Sequence, residues 1–227
     1  GGAAGRRGGE TQATVCSMVR DVLAPVVLGL DVCDVTAARL AMDRAAIGNS
    51  YAKVSIDIAM HDAWGKTLGQ PVYRLLGGKV REAVPFAHMV GLMDHGDAMD
   101  EALGALADGC TALQIKGGVD AERDIALVAE LRREAGDGPF LRVDANQGYR
   151  SARFAIDTLA RLRDAGADGC EQPGANMAAM VEITRRGALP VMADESCWDA
   201  VDAMDVVGQG AADWISIYLA KAGGITG

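Results

Sequence analysis

Three short acidic motifs punctuate the second half of the chain: Val143-Asp144-Ala145-Asn146, Cys170-Glu171-Gln172-Pro173 and Ala193-Asp194-Glu195-Ser196. Each closes an apolar run, and Asp144, Glu171 and Asp194 follow one another at about the length of one strand–helix unit. A lone aspartate after a strand is more often a helix N-cap than a ligand. Three acids in step at consecutive strand ends are a different matter, because parallel strands would bring them to one rim. Three hard oxygen donors side by side suit Mg²⁺, which favours oxygen and leaves positions open for a substrate. Asn146, Gln172 and Glu195 are then expected to orient the carboxylates or face the substrate.

Lys116 ends the run Ala112-Leu113-Gln114-Ile115-Lys116, one strand–helix unit ahead of Asp144. A lysine at a strand end ordinarily snorkels to water. Placed at the same rim as a divalent cation and partly desolvated, it becomes a candidate base. The task that such a site suits is removal of a proton α to a carboxylate. Tyr218 lies in the run Trp214–Leu219, where alternation would put Ser216 and Tyr218 on one face. It is a candidate acid or hydrogen-bond donor, or else a packing tyrosine. Lys221 follows it and is expected to support the loop. Of three histidines, His88 on the first strand is a candidate substrate contact, His61 is expected to pack within a helix, and His95 to sit in an exposed loop. No histidine has the spacing of a zinc ligand.

The elements that must position these groups are legible as an alternation. Candidate strands are Val84–Val90, Thr111–Lys116, Phe140–Asp144, Ala167–Glu171, Leu189–Asp194 and Trp214–Leu219. Helices are expected at Asp97–Ala107, Ala121–Glu134, Ser151–Ala165, about Asn176–Arg186 and near Ala200–Gly208. Six strands separated by helices imply a parallel α/β architecture with right-handed crossovers. Polar residues at nearly every strand end favour a barrel over a doubly wound sheet. Upstream, residues 11–30 read as a helix ending near Pro25 and the Leu28-Gly29 break. Apolar residues then recur at helical spacing from Val35 to Leu68, with a restart at Asn49-Ser50, and Val72–Gly78 is a short glycine-capped helix. Residues 1–9 are low-complexity and are expected to be disordered.

The chain has 227 residues, half of them apolar but only 4% aromatic, so its core is aliphatic, as in a helix-rich α/β protein. The net charge of −9 argues against nucleic acid or an anionic membrane as partner. No run is apolar enough to span a bilayer and no signal peptide is visible, and the five scattered cysteines suit a reducing cytoplasm.

These motifs, with Ala59–Lys66, Pro71–Gly78 and Lys221-Ala222-Gly223-Gly224-Ile225, resemble the muconate-lactonizing-enzyme and mandelate-racemase branch of the enolase superfamily from about Glu10 onward. The resemblance implies a partial (β/α)7β TIM-like barrel over residues 81–227. Residues 10–80 would be the helical remainder of an α+β capping domain. It implies Mg²⁺ on Asp144, Glu171 and Asp194, Lys116 as base, a small carboxylate substrate such as an amino acid or hydroxy acid, and a homo-oligomer at full length. It also implies a fragment lacking both ends. Two departures stand out. Gln114 replaces the first lysine of the branch's Lys-x-Lys, and Tyr218 replaces a sixth-strand lysine. With one base instead of two opposed ones, a lyase that eliminates water from a hydroxylated amino acid, such as cis-3-hydroxy-L-proline, is the leading expectation. An amino-acid or proline-betaine epimerase is the alternative, and an inactive truncated homologue the second alternative.

Overall fold

A computed structural model describes residues 9–227, so all but the last residue of the low-complexity start lies outside it. The described residues fall into two compact units: the chain up to Glu82 together with Ile217–Gly227, and Ala83–Ser216.

The first unit is helical. Thr11 caps α1 (Gln12–Met18) with a reciprocal pair of bonds to Thr14. The helix expected over residues 11–30 runs through a π-helical turn, Val19–Leu23, and past Pro25 in α2 (Ala24–Val27) to end at the Leu28-Gly29 break. Proline lacks an N–H and its ring crowds the preceding turn. The wider turn just before it, with the Ala24 N–H reaching back to Val19, accommodates both. Next come α3 (Val35–Ala45) and α4 (Ser50–Leu68), the latter restarting where Asn49 takes a left-handed conformation. A short α5 (Val72–Leu75) follows. Leu23, Met42 and Ala52 form the unit's buried apolar centre. Buried Asp57 on α4 accepts the Ile225 and Thr226 N–H groups at 2.6 and 3.3 Å, and Arg39 on α3 donates to the Ala222 and Gly223 carbonyls.

The second unit is the alternation read from the sequence. Strands β1 (Ala87–Val90), β2 (Ala112–Lys116), β3 (Phe140–Asp144), β4 (Gly169–Glu171), β5 (Val191–Ala193) and β6 (Trp214–Ile215) form one parallel sheet in sequential order. Helices α6 (His95–Ala107), α7 (Ala121–Ala135), α8 (Ala152–Ala165), α9 (Met177–Arg186) and α10 (Ala200–Gln209) separate them. Period-2 alternation sorts the sheet into two faces. Leu113, Ile115, Leu141, Val143, Cys170 and Val191 join the aliphatic core, together with Leu127, Leu131, Leu159, Leu162, Met180 and Ile183 of the helices. The opposite face carries Gln114, Lys116, Arg142, Asp144 and Glu171.

Every strand but β3 is shorter than read, the sixth most of all. The sixth strand stops at Ile215, and α11 (Leu219–Ala222) begins directly after Tyr218. Tyr218 therefore sits at a helix N-cap within the first unit and not on a strand face. Among the described residues no helix is long and apolar enough to cross a membrane, and none of the five cysteines is in a disulfide.

Two glycines with opposite surroundings check this packing. Gly104 lies exposed within α6, where an added Cβ meets nothing within 4 Å. Gly65 lies in α4, where a Cβ would stand 2.7 Å from the Gln70 carbonyl oxygen. In chemical denaturation, Gly104→Ala is expected to raise stability by roughly 0.5–1 kcal/mol, and Gly65→Ala to lower it by about 1–3 kcal/mol. Equal effects would mean that the close approach at Gly65 is wrong.

Candidate active site

The register of the sheet assembles the site. Gln114 pairs with Arg142, Lys116 with Asp144, and Asp144 in turn with Glu171. Residues two apart on one strand share a face, so Gln114, Lys116, Arg142, Asp144 and Glu171 are projected from one side of three neighbouring strand ends. The ladder continues past the formal strands, with the Ala145 N–H bonded to the Glu171 carbonyl and the Gln172 N–H to the Met192 carbonyl.

Asp144 and Glu171 are both nearly inaccessible, and burying two adjacent carboxylates is costly. Three donors bear that charge. The Lys116 ammonium is ion-paired with Asp144 Oδ2. The Gln114 side-chain amide bridges the two acids, 3.0 Å from Asp144 Oδ2 and 3.1 Å from Glu171 Oε2. Arg142 Nε lies 3.1 Å from Glu171 Oε2. The balance is incomplete at Glu171, whose carboxyl is pushed up to about 7 by burial and by the Asp144 charge, against the pull of Arg142.

Beyond the strand ends the backbone is unusual. Asn146, Gln147 and Gln172 all adopt positive φ, at 44°, 68° and 41°. Such conformations disfavour side-chain-bearing residues and persist where surroundings hold them. Asn146 is held by its own N–H to Asp144 Oδ1 at 3.0 Å and by its amide to Glu195 Oε1 at 3.2 Å. Lys116 Nζ also lies 3.4 Å from Asn146 Oδ1. Gln172 is wholly buried and behaves as a staple. Its Oε1 accepts the N–H groups of Asp194 and Ser196 at 2.9 and 3.1 Å, and its Nε2 donates to the Gly174 carbonyl and to Ser196 Oγ at 2.9 and 2.6 Å. Gln172 therefore fixes the segment that carries Asp194 and Glu195.

Asp144 and Glu171 stand side by side at the ends of β3 and β4, and Asp194 directly follows β5. Among the described residues no three carboxylate, imidazole or thiol groups stand close enough to hold an ion. The facing oxygens of Asp144 and Glu171 are engaged by Lys116, Gln114 and Arg142, which relieve the repulsion between them.

His88 needs a correction. It falls on β1 as expected, but in register with Leu113 and so on the helix-facing side, where Nε2 lies 2.9 Å from Glu101 on α6. It does not join the Lys116 cluster. His95 opens α6 and pairs with Glu130 at 2.6 Å instead of lying in a free loop. His61 is buried with Nδ1 2.8 Å from the Asp57 carbonyl oxygen, a packing role as expected. Tyr218, 52% exposed, stacks edge-on against Tyr51 in the first unit, with ring centroids 6.4 Å apart. Lys221 is buried in the same unit. Arg142 was missed by the sequence reading, although its place two residues before Asp144 on the same strand was a sufficient signal.

A parallel α/β sheet with acids at the ends of its third and fourth strands, a third acid just past its fifth and a lysine closing its second defines a class of barrel with its chemistry at the carboxyl ends of the strands. The comparisons agree on which class. Residues 97–227 match the family model for the enolase C-terminal domain-like fold. Residues 1–77 match that for the N-terminal domain of mandelate racemase / muconate lactonizing enzyme. Muconate cycloisomerase 1 from Rhodococcus opacus is 32% identical over 96% of this chain, and L-Ala-D/L-Glu epimerase from Bacillus subtilis 33% identical over 96%. The crystal structure of N-succinyl Arg/Lys racemase from Bacillus cereus superposes with a TM-score of 0.94 at 30% identity, covering all of this chain. The chain spans 59% and 61% of the two curated relatives and 62% of the racemase structure.

The chain belongs to the enolase superfamily, in its mandelate racemase and muconate lactonizing enzyme branch. The second unit is accordingly a partial barrel of that family.

The staple at Gln172 is testable without any substrate. Gln172→Leu keeps the volume but strands the Asp194 and Ser196 N–H groups. Each buried unsatisfied group costs about 1–3 kcal/mol, so the variant is expected to lose on the order of 3 kcal/mol in denaturant unfolding. A loss under about 0.5 kcal/mol would show that these bonds do not hold the Asp194 segment.

Proposed function

We propose that this chain carries the base and the metal ligands of a Mg²⁺-dependent enzyme that removes the proton α to the carboxylate of a small substrate. The observation that carries the reading is the joint placement of Lys116, Asp144 and Glu171 in direct register on three neighbouring strands. The chemistry of the donors fits a hard divalent cation: Asp144, Glu171 and Asp194 offer only carboxylate oxygens, and these three acids face two cations, Lys116 and Arg142. Bound there, Mg²⁺ would polarise the substrate carboxylate and offset the charge that builds on it as the α-proton leaves.

The protein groups have separable tasks in this reading. Lys116, one-fifth exposed at its side chain, takes the α-proton at Nζ from one side of the substrate. Gln114, which bridges the two acids here, contributes orientation without the charge that a lysine there would add. Asn146 ties the Asp144 turn to Glu195, and Gln172 sets the Asp194 turn. Tyr218 stands where the branch is expected to carry a second lysine. A phenol with its ordinary pKa near 10 is a donor at neutral pH and a poor base. A single lysine base therefore favours elimination of a β-hydroxyl over repeated exchange at both faces of the α-carbon.

A second reading, epimerisation of an amino-acid derivative, is favoured by the relatives, which include an epimerase and a racemase but no dehydratase among those compared above. Hydroxyproline as the particular substrate draws no support from them.

Incubation of the full-length enzyme with candidate carboxylates in D₂O separates the outcomes. Elimination yields an unsaturated or 2-keto product, whereas epimerisation inverts the centre and washes in deuterium without loss of water. Lys116→Ala is expected to lower both α-proton exchange and turnover by about 10²–10⁴-fold, and Asp144→Asn to abolish turnover while leaving the unfolding transition nearly unchanged. Wild-type exchange in Lys116→Ala would rule out its role as base. Rapid inversion by the wild type with no elimination would replace the lyase by the epimerase.

A further inference from the structure

Asp124 on α7 is a wholly buried carboxylate that the chemistry above does not use. The helix does not need it as a cap, because Asp120 already accepts the N–H groups of Glu122 and Arg123 at 3.0 and 3.3 Å. Burial holds its carboxyl above the usual carboxylate range, so the position carries a desolvation penalty that an aliphatic side chain would avoid. Two of the three partners of that carboxylate belong to the strand-end loops. Its Oδ2 accepts the Gly118 N–H at 2.7 Å and the Tyr149 hydroxyl at 3.2 Å, and its Oδ1 lies 3.3 Å from Arg123 Nη1.

Gly118 belongs to the loop that follows Lys116, and Tyr149 to the loop that follows Asp144. Arg123 extends the grip, donating from Nη1 to the carbonyl of Lys116 itself at 3.1 Å and from Nη2 to the Met93 carbonyl of the preceding loop at 2.8 Å. The loops are in backbone contact with no room between them. A Cβ on Gly118, which has φ of 85°, would fall 1.9 Å from the Ala145 carbonyl oxygen, and one on Gly148 would fall 2.1 Å from the Gly118 oxygen. A Cβ on Gly117 would meet the Asp124 carboxylate at 2.6 Å. The arrangement fixes the Lys116 backbone against the turn that carries Asp144 and Asn146, the two residues its ammonium reaches.

We propose that Asp124 is a positioning residue: with Arg123 and Tyr149 it sets where the Lys116 amine stands relative to Asp144 and the substrate. The inference rests on the reading of Lys116 as the base. A long, flexible lysine needs such a frame, because a displacement of about 1 Å at a reacting group costs on the order of 10²-fold in rate.

Full-length Asp124→Asn, Tyr149→Phe and Lys116→Ala test the idea with two readouts. One is the KM and kcat of α-proton exchange, and the other is amide hydrogen exchange of the metal-free protein. In Asp124→Asn, kcat is expected to fall about 10- to 100-fold with KM within about twofold. The Gly118 amide should exchange faster while Leu113 and Ile115 on β2 stay protected. Tyr149→Phe, which removes one hydroxyl and spares the carboxylate, should move both readouts the same way by less, and it serves if Asp124→Asn does not fold. Wild-type kcat in both variants, or a kcat loss matched by loss of protection at Leu113 and Ile115, overturns the proposal. If Lys116→Ala is dead and Asp124→Asn is fully active, only the positioning role falls. If Lys116→Ala still exchanges the proton, the base assignment fails and takes this inference with it.

Discussion

Two carboxylates on adjacent strands, Asp144 and Glu171, are paired in register and almost completely buried, and much of the second unit is arranged around bearing their charge. Coulomb repulsion between neighbouring carboxylates in a low-dielectric interior disfavours both being ionised without counter-charges. Lys116, Gln114 and Arg142 are the counterweights, and all three reach the pair because a parallel register places them on the same face. Burial and the Asp144 charge still raise the Glu171 carboxyl against the pull of Arg142.

The loops at the strand ends convert that electrostatic demand into geometry. Gln172 uses all of its amide to fix the Asp194 turn, Asn146 links the Asp144 turn to Glu195, and Asp124 with Arg123 links the Lys116 loop to both neighbours. The positive φ angles at Asn146, Gln147 and Gln172 lie where these links are densest. A rigid aliphatic sheet below and a dense polar mesh above are complementary parts of one device. The first sets the spacing of the strands, and the second sets the direction of the groups they carry.

Much of this was legible in the sequence. The six-strand alternation, the strand Phe140–Asp144 and the faces of β2 and β3 follow directly from period-2 and period-3.6 patterning. What was not legible depended on tertiary context. The Trp214–Leu219 run reads as a strand by composition, but after Ile215 the chain leaves the ladder and turns into α11. His88 was assigned to the site by its place on a strand, whereas its register with Leu113 turns it to the helices. Asp124 looks like one more charged residue on an amphipathic helix, and only the packed loops reveal that it is buried. The family could be recognised from motifs alone, because the motifs are the strand ends themselves.

The most direct test of the central claim is a crystal structure of the full-length enzyme grown with Mn²⁺, located by its anomalous signal as a stand-in for Mg²⁺. The account predicts one ion with Asp144, Glu171 and Asp194 all in its coordination sphere, and Lys116 released from Asp144 and facing an open position beside it. An ion held elsewhere, or one that leaves Asp144 and Glu171 bonded to Lys116, Gln114 and Arg142 as they are here, would contradict it.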